Sequence, residues 1–579
     1  MTAAARRIFG RLGLWAGFTG RVRRFELSVV VWALLAALLV FLIVAPLLAL
    51  VVVSLKDGDS GAFTLAHYLT AYGRWRHIEA LLNTLLMGAG VALLSLAFAV
   101  PLAWACSRSD MPGRNLIRLL VLGAFITPPY LSTMGWIMLA GPNSGWLNKL
   151  WMDLTGTTEP IFNIFSFYGL VLIMGGHLFF YIFVFTSSAL DLISSEVEDA
   201  ANILGAGTLR TAFRITLPLI VPAILGGGII TFLQSIALFG VPALISPAAR
   251  FPVVTTQLWQ FFEFPVQVGV AAAYSIPLLA ITVLLFAVQR MILSRKGFVS
   301  VTGKGGDRRP IQLGRWRWVM FAYAMFVCLL CTILPALLLV QAAFSRAWGR
   351  GLSLDNLTLE NFRYLFFDHS FAVQSIVNSL SYASISATCA VILSICIAYI
   401  VSRRLLPLSG GLGLLSIAPV VVPGIVLAIG FYASYAPPPL SLYGTGTIMV
   451  LAFTTRFLPL AYLNSAAAVR SLHPEMEEAV HILGGSRLTA VRRVVAPLLK
   501  RSLAGAWILV FVPAAQELST AIFLVGPNTR VMSVLLLDLN DQGNLEGVAA
   551  LGCTLLVVVI GVVTVGFRIV GRDFMLRRS

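Results

Sequence analysis

Long apolar runs alternate with short polar stretches from one end of the chain to the other. A helix needs about 20 mostly apolar residues to cross a bilayer. Twelve segments meet that length: about 28–54, 80–105, 117–140, 166–190, 215–245, 266–292, 316–343, 373–401, 411–433, 445–468, 500–526 and 547–570. Between the sixth and seventh lies "SRKGFVSVTGKGGDRRPIQLGR" (294–315), polar, glycine-containing and basic, which reads as a flexible linker. The pattern predicts an all-α polytopic membrane protein: an N-terminal segment 1–27, a first six-span half 28–293, the linker 294–315 and a second six-span half 316–579.

Composition supports that class. Of 579 residues 59% are hydrophobic and 11% charged, whereas a soluble protein carries roughly 25% charged residues. The formal charge of +17 invites a nucleic-acid partner, but the basic residues sit in short clusters between spans, where they set orientation in a bilayer. The N-terminus, Arg108/Arg114/Arg118, the stretch Arg290 to Arg317, Arg403/Arg404 and the tail fall on one side, which predicts cytoplasmic termini. The run 28–54 is too long for a signal-peptide core and reads as an uncleaved span in contact with membrane lipid. Six cysteines all fall in apolar runs with no metal-site spacing, so no stable metal site is expected. The Gly-Lys pair of the linker has the wrong glycine spacing for a phosphate loop, no Ser/Thr after the lysine and no preceding strand. The chain itself is therefore expected to bind no ATP.

Two polar stretches break the apolar pattern in the same way. "EVEDAANILGAGTLRTAFRITLPLI" (196–220) and the run from Glu475 to Leu499 align at a constant shift of 279 with ten identities in 25 positions and no gap. Glu196 matches Glu475, Glu198 matches Glu477, Ala200 matches Ala479 and Gly205 matches Gly484. A second register, shifted by 295, pairs Asn83 with Asn378, Ser107-Arg108 with Ser402-Arg403, and Pro128 with Pro423. The sixteen extra residues of the first half fall in the external loop 141–165. An even number of spans per half keeps both copies in one orientation, and parallel repeats place a pathway along their shared axis. Each polar stretch predicts a short helix with acids in its first turn, where the helix dipole favours them, then a glycine elbow and a basic segment leading to Pro218 or Pro497. Ser195 and Glu198 have capping-box spacing.

These residues resemble the coupling loop of ABC importer permeases. The first copy (loop 194–217) reads Asp199-Ala200-Ala201, then Gly205 and Pro218; the second (loop 472–497) reads Glu478-Ala479-Val480, then Gly484 and Pro497, with Val480 departing from the pattern. Within that superfamily of type I, binding-protein-dependent permeases, "FGVPALI" (239–245), "QELSTAIFLVGP" (516–527) and "GWLNKL" (145–150) resemble the fused two-half permeases of ferric-iron importers. The resemblance implies a bacterial inner-membrane subunit for ferric-iron uptake, though thiamine, polyamine and phosphonate importers have similar permeases. It implies that a separate, homodimeric ATPase holds ATP and Mg and receives two coupling helices, at Glu196, Glu198, Asp199, Ala200, Ala201 and Gly205 and at Glu475, Glu477, Glu478, Ala479 and Gly484. A periplasmic or lipid-anchored binding protein would deliver cargo at the other face.

A twelve-span secondary transporter is the rival class. It should bury ionisable residues within spans, and Glu517, His177 and Asp191 are the few candidates. Glu517 is expected about seventeen residues into the span 500–526, as a lone carboxylate lining the path and attracting a hard cation in passing; pairing with Arg530 or capping a broken helix near Pro513 is the alternative. Gln516, Gln234, Asn83 and Asn378 complete the expected path.

Overall fold

The computed structural model describes residues 27–570 apart from 59, 194–200, 202, 295–309, 352 and 407. The described chain is helical, and its strand-like pairing is confined to isolated bridges. The first half contains α1 (Val29–Leu55), α2 (Trp75–Arg108), α3 (Arg114–Ile126), α4 (Pro129–Ala140), α5 (Phe167–Leu190), α6 (Ala212–Ala237), α7 (Gly240–Ala249) and α8 (Val268–Leu293). The second contains α9 (Trp316–Ala343), α10 (Ala372–Ser402), α11 (Ser409–Val421), α12 (Gly424–Tyr435), α13 (Gly446–Arg470), α14 (Glu475–Ile482), α15 (Val491–Ala515), α16 (Met532–Asp541) and α17 (Leu545–Gly566). Among the described residues ten helices are long and apolar enough to cross a membrane, twelve if each bent pair counts as one span.

Four of the expected spans are not straight. The segments 117–140 and 411–433 bend by 101° and 112° between α3 and α4 and between α11 and α12. Pro128-Pro129 and Pro423 stand at the bends, where the missing N–H groups leave helix carbonyls without their usual donors. The segments 215–245 and 500–526 are broken: α6 stops at Ala237 before α7, and α15 stops at Ala515 before the short helix Ala521–Leu524. Irregular backbone at membrane depth persists only where other protein segments satisfy it, and these breaks lie at the seam between the halves.

The halves exchange their first spans. The Ala45–Leu55 part of α1 packs on α12, and the Leu334–Ala343 part of α9 packs on α4. Both crossings use a glycine against a proline carbonyl, because a small residue lets two backbones approach closely in a membrane. A Cβ on Gly135 would lie 2.5 Å from the Pro335 carbonyl oxygen, and one on Gly430 would lie 2.7 Å from that of Pro46. Within each half, α2, α5 and α6 pack together as α10, α13 and α15 do. The N-caps of α5 and α13 repeat as well: Ser166 accepts from Gly169 N at 3.1 Å and Thr445 from Ile448 N at 3.4 Å.

The described end of the linker is anchored. Ile311 N donates to Arg108 O at 2.8 Å, Asp110 N to Ile311 O at 3.1 Å, and Leu313 N to the Asp110 carboxylate at 2.9 Å. Residues 310–313 are thus held against the end of α2, whereas 295–309 lie outside the described residues.

Candidate functional site

At one end of the bundle, α14 follows α13 through a tight turn. Glu477 N and Glu478 N both donate to Pro474 O, so Pro474 opens the helix where its own missing N–H costs nothing. The acids of this turn have different roles. Glu475 and Glu478 are exposed, while Glu477 is buried and takes the end of α10 in hand. Arg403 donates to its Oε1 through Nη2 at 2.6 Å and Nε at 2.9 Å, and the Tyr399 hydroxyl donates to Oε2 at 2.7 Å. Arg403 also donates to Leu472 O at 3.1 Å, closing the loop onto its own half. In the first half Arg108 is buried and donates to Ile193 O at 3.2 Å. Arg108 and Arg403 correspond under the 295 shift, and Ile193 and Leu472 under the 279 shift.

Beyond α14, and at the matching position of the first half, the chain turns through glycine. Gly205 and Gly484 share φ of +81°, a left-handed conformation that strains any residue with a Cβ. The two residues before each glycine project outwards: Ile203 and Leu204 are 86% and 87% exposed, Ile482 and Leu483 85% and 87%. Ala201 is buried. Glu196, Glu198, Asp199 and Ala200, and the capping box expected at Ser195, lie outside the described residues; Ala479 sits within α14.

The five residues expected to line a path separate into two groups. Asn83 and Asn378 sit near the starts of α2 and α10 and act as clasps on the segments before 254–260 and α16. Asn83 donates to Pro252 O at 3.1 Å, and Asn378 to Arg530 O at 2.9 Å. The next residues repeat the device, Thr84 accepting from Val254 N at 2.8 Å and Ser379 from Met532 N at 2.7 Å. Gln234, Gln516 and Glu517 instead lie at the seam. Gln234 donates to the Tyr181 hydroxyl at 3.0 Å, and Gln516 crosses between halves to donate to Ile126 O at 2.7 Å. That carbonyl is at the α3–α4 bend, where a side-chain donor replaces helix bonding.

Glu517 is not the lone carboxylate expected from the sequence. It lies in the break after α15, and its Oε2 accepts from Arg456 Nε at 3.0 Å. Its Oε1 accepts from the Thr520 backbone N at 2.9 Å and hydroxyl at 3.0 Å. Arg530, the partner considered from the sequence, faces Asp538 at 3.6 Å. Gly424 leaves room for the pair, since a Cβ there would run into the Arg456 guanidinium. Arg456 was missed although its signal was plain: a single Arg inside an apolar span is costly unless partnered.

At the opposite end, residues 141–165 form the helix Trp146–Thr155 on a buried Asn148, which donates to Gly141 O and Phe162 O at 2.9 and 2.7 Å. Lys149 donates to Gly349 O at 2.7 Å, and Trp146 meets Trp348 with ring centroids 6.3 Å apart, joining this segment to the second half.

Residues 10–298 and 390–571 match the family described as binding-protein-dependent transport system inner membrane component, and the chain belongs to it. The chain is similar to the ferric transport system permease protein FbpB of Actinobacillus pleuropneumoniae, 26% identical over 550 residues that span 92% of this chain and 77% of that protein. A putative ferric transport system permease protein FbpB 1 of Haemophilus influenzae is 26% identical over 511 residues, 86% of this chain and 78% of its own. The molybdenum transport system permease protein ModB of Escherichia coli is 31% identical over 163 residues, 28% of this chain and 69% of its own. The protein is thus an inner-membrane permease subunit of a binding-protein-dependent ABC importer.

Proposed function

We propose that this permease carries ferric iron inwards, driven by a separate ATPase homodimer that holds ATP and Mg. The observation that carries the coupling is the doubled Ile-Leu-Gly knob, Ile203-Leu204-Gly205 and Ile482-Leu483-Gly484, presented at one end of the bundle in matching conformation. Two exposed apolar knobs on a pseudo-symmetric protein suit two identical clefts, one in each ATPase subunit. Glu477 and Arg403 fix the second knob to α10 and α13, so a push on α14 reaches the seam as a rigid displacement.

In this reading the knob-bearing end and both termini are cytoplasmic, and a periplasmic or lipid-anchored binding protein docks at the end carrying 141–165. Support for iron comes from the two long relatives, whose names specify ferric transport. The test is copurification of an ATPase with the chain, followed by ATP-dependent uptake of 55Fe(III) into proteoliposomes supplied with the binding protein. ATP-dependent iron accumulation supports the proposal. Gradient-driven uptake by the chain alone would replace it with a secondary transporter.

A further inference from the structure

Helices α5 and α13 are the innermost spans of their halves, yet each keeps one open stripe. Val184 and Ser188 on α5 are exposed, as are Leu460, Leu463 and Ala467 on α13. Under the 279 shift Val184 corresponds to Leu463 and Ser188 to Ala467, so the stripes are equivalent and lie towards the end that carries α14. Followed the other way, the stripes lead to Tyr181 and His177 on α5 and to Arg456 on α13. His177 and Arg456 are themselves counterparts. Beyond them the halves close on apolar contacts: Phe239 meets Phe523 with centroids 6.4 Å apart, and a Cβ on Gly240 would lie 3.3 Å from Leu518. The open stripes thus run, on equivalent faces of both halves, to the level at which these three polar residues stand.

The groups at this closed end are rich in donors. Arg456 spends only Nε on Glu517; its two Nη groups make no hydrogen bond to described residues, and its side chain remains 18% exposed. The Tyr181 hydroxyl accepts from Gln234 and so has its proton to give. His177, half-buried one helical turn before Tyr181, makes no hydrogen bond among the described residues. Acceptors are scarce. Helices α5, α6, α13 and α15 contain no Asp or Glu, and both oxygens of Glu517 are already engaged. No group of three His, Cys, Asp or Glu suited to a metal ion occurs among the described residues. A bare cation moving along these stripes would meet the Arg456 guanidinium, with no carboxylate free beside it among the described residues to offset the repulsion. A planar guanidinium with unused N–H groups suits the oxygens of an anion.

We propose that Arg456, His177 and Tyr181 form a transit site for an anionic, oxygen-bearing cargo, with Glu517 and Gln234 as positioning residues. Two cargoes share that chemistry: a ferric ion enclosed by anionic oxygen ligands, and a free oxyanion. The first rests on the iron reading above; the second does not.

The test uses proteoliposomes holding the permease with its ATPase and binding protein, in two arms: 55Fe(III) in excess phosphate, and 99Mo-labelled molybdate. The variants are His177→Leu, Tyr181→Phe and His177→Glu, with copurified ATPase as the check on folding. Each lost donor should lower uptake of the transported form roughly tenfold, the scale of one hydrogen bond to a charged group. His177→Glu should lower it further, because a carboxylate repels an anion. Wild-type uptake of iron that fails in the variants supports the site and the iron reading together. Uptake of molybdate alone, lost in the variants, keeps the site and discards iron. Iron uptake that is unchanged in His177→Leu and Tyr181→Phe, or raised by His177→Glu, overturns the site while leaving iron transport standing.

Discussion

Arg403 and Glu477, 74 residues apart in sequence, meet with Nη2 2.6 Å from Oε1, and this contact fastens α14 to the end of α10. Arg403 reads in the sequence as one of many basic residues that orient the chain. In the fold it is a strut.

The strut separates two neighbouring acids that look interchangeable in the sequence. Arg403→Ala or Glu477→Ala leaves a buried charge unpaired, a loss of about 3–5 kcal/mol for a buried pair. Uptake should fall at least tenfold in either, and the exchanged pair Arg403→Glu/Glu477→Arg should recover part of it. Reversal of exposed Glu478 should leave the fold intact and affect only ATPase capture. Equal behaviour of Glu477 and Glu478 variants in thermal melting and copurification would remove the strut.

The elbow glycines should tolerate side chains poorly for backbone reasons alone. Nothing lies within 4 Å of a Cβ built on Gly205 or Gly484, so the strain is the φ of +81°. Gly484→Ala and Gly205→Ala should each cost about 1–2 kcal/mol in the local conformation. Uptake per ATP hydrolysed should drop similarly in both, measured on the purified complex. A drop in only one would show that the two elbows are unequal.

Gly135 and Gly430 are predicted to hold the exchanged spans together. A Cβ at either strikes a proline carbonyl, and overpacking of that kind costs about 1–3 kcal/mol. Gly135→Ala and Gly430→Ala should therefore lower the melting temperature of the detergent-solubilised chain. Gly561→Ala, with nothing within 4 Å, serves as the neutral control.

The Arg456–Glu517 pair should show strong non-additivity. Arg456→Met or Glu517→Gln alone leaves a charge in an apolar seam, whereas the double variant leaves none, and pairs of this kind often tolerate joint removal. Melting temperature should fall sharply in each single variant and recover in the double. Additive losses would mean that the two groups do not act as a pair.

On the proposed orientation, the segment 141–165 should reach the binding protein through Asn143, which is exposed, and not through Lys149, whose amine is held by Gly349 O. Photocrosslinking from each position at saturating binding protein distinguishes the two, and capture from Lys149 alone would reverse the assignment.

The sequence by itself determined the membrane class, the duplication and the two loops with their elbow glycines. Those are local or periodic properties: an apolar run must leave water, and a copied segment keeps its spacing. Glu198 and Glu477 were equally visible as a repeat, yet nothing local told Glu477 from Glu478, because burial depends on which face of α14 meets Arg403. The same holds for the bends and breaks. Proline marks Pro128 and Pro423 as weak points, but an apolar run does not record whether the chain continues across the bilayer or turns back. That outcome depends on whether another segment supplies the missing donors, as Gln516 does for Ile126. Glu517 shows the limit best. Its cost in an apolar setting was legible from one residue, while its partner, Arg456, stands 61 positions away on another helix. Only tertiary packing could bring the two charges to 3.0 Å and decide that the acid is occupied while the arginine's Nη groups meet no acceptor among the described residues.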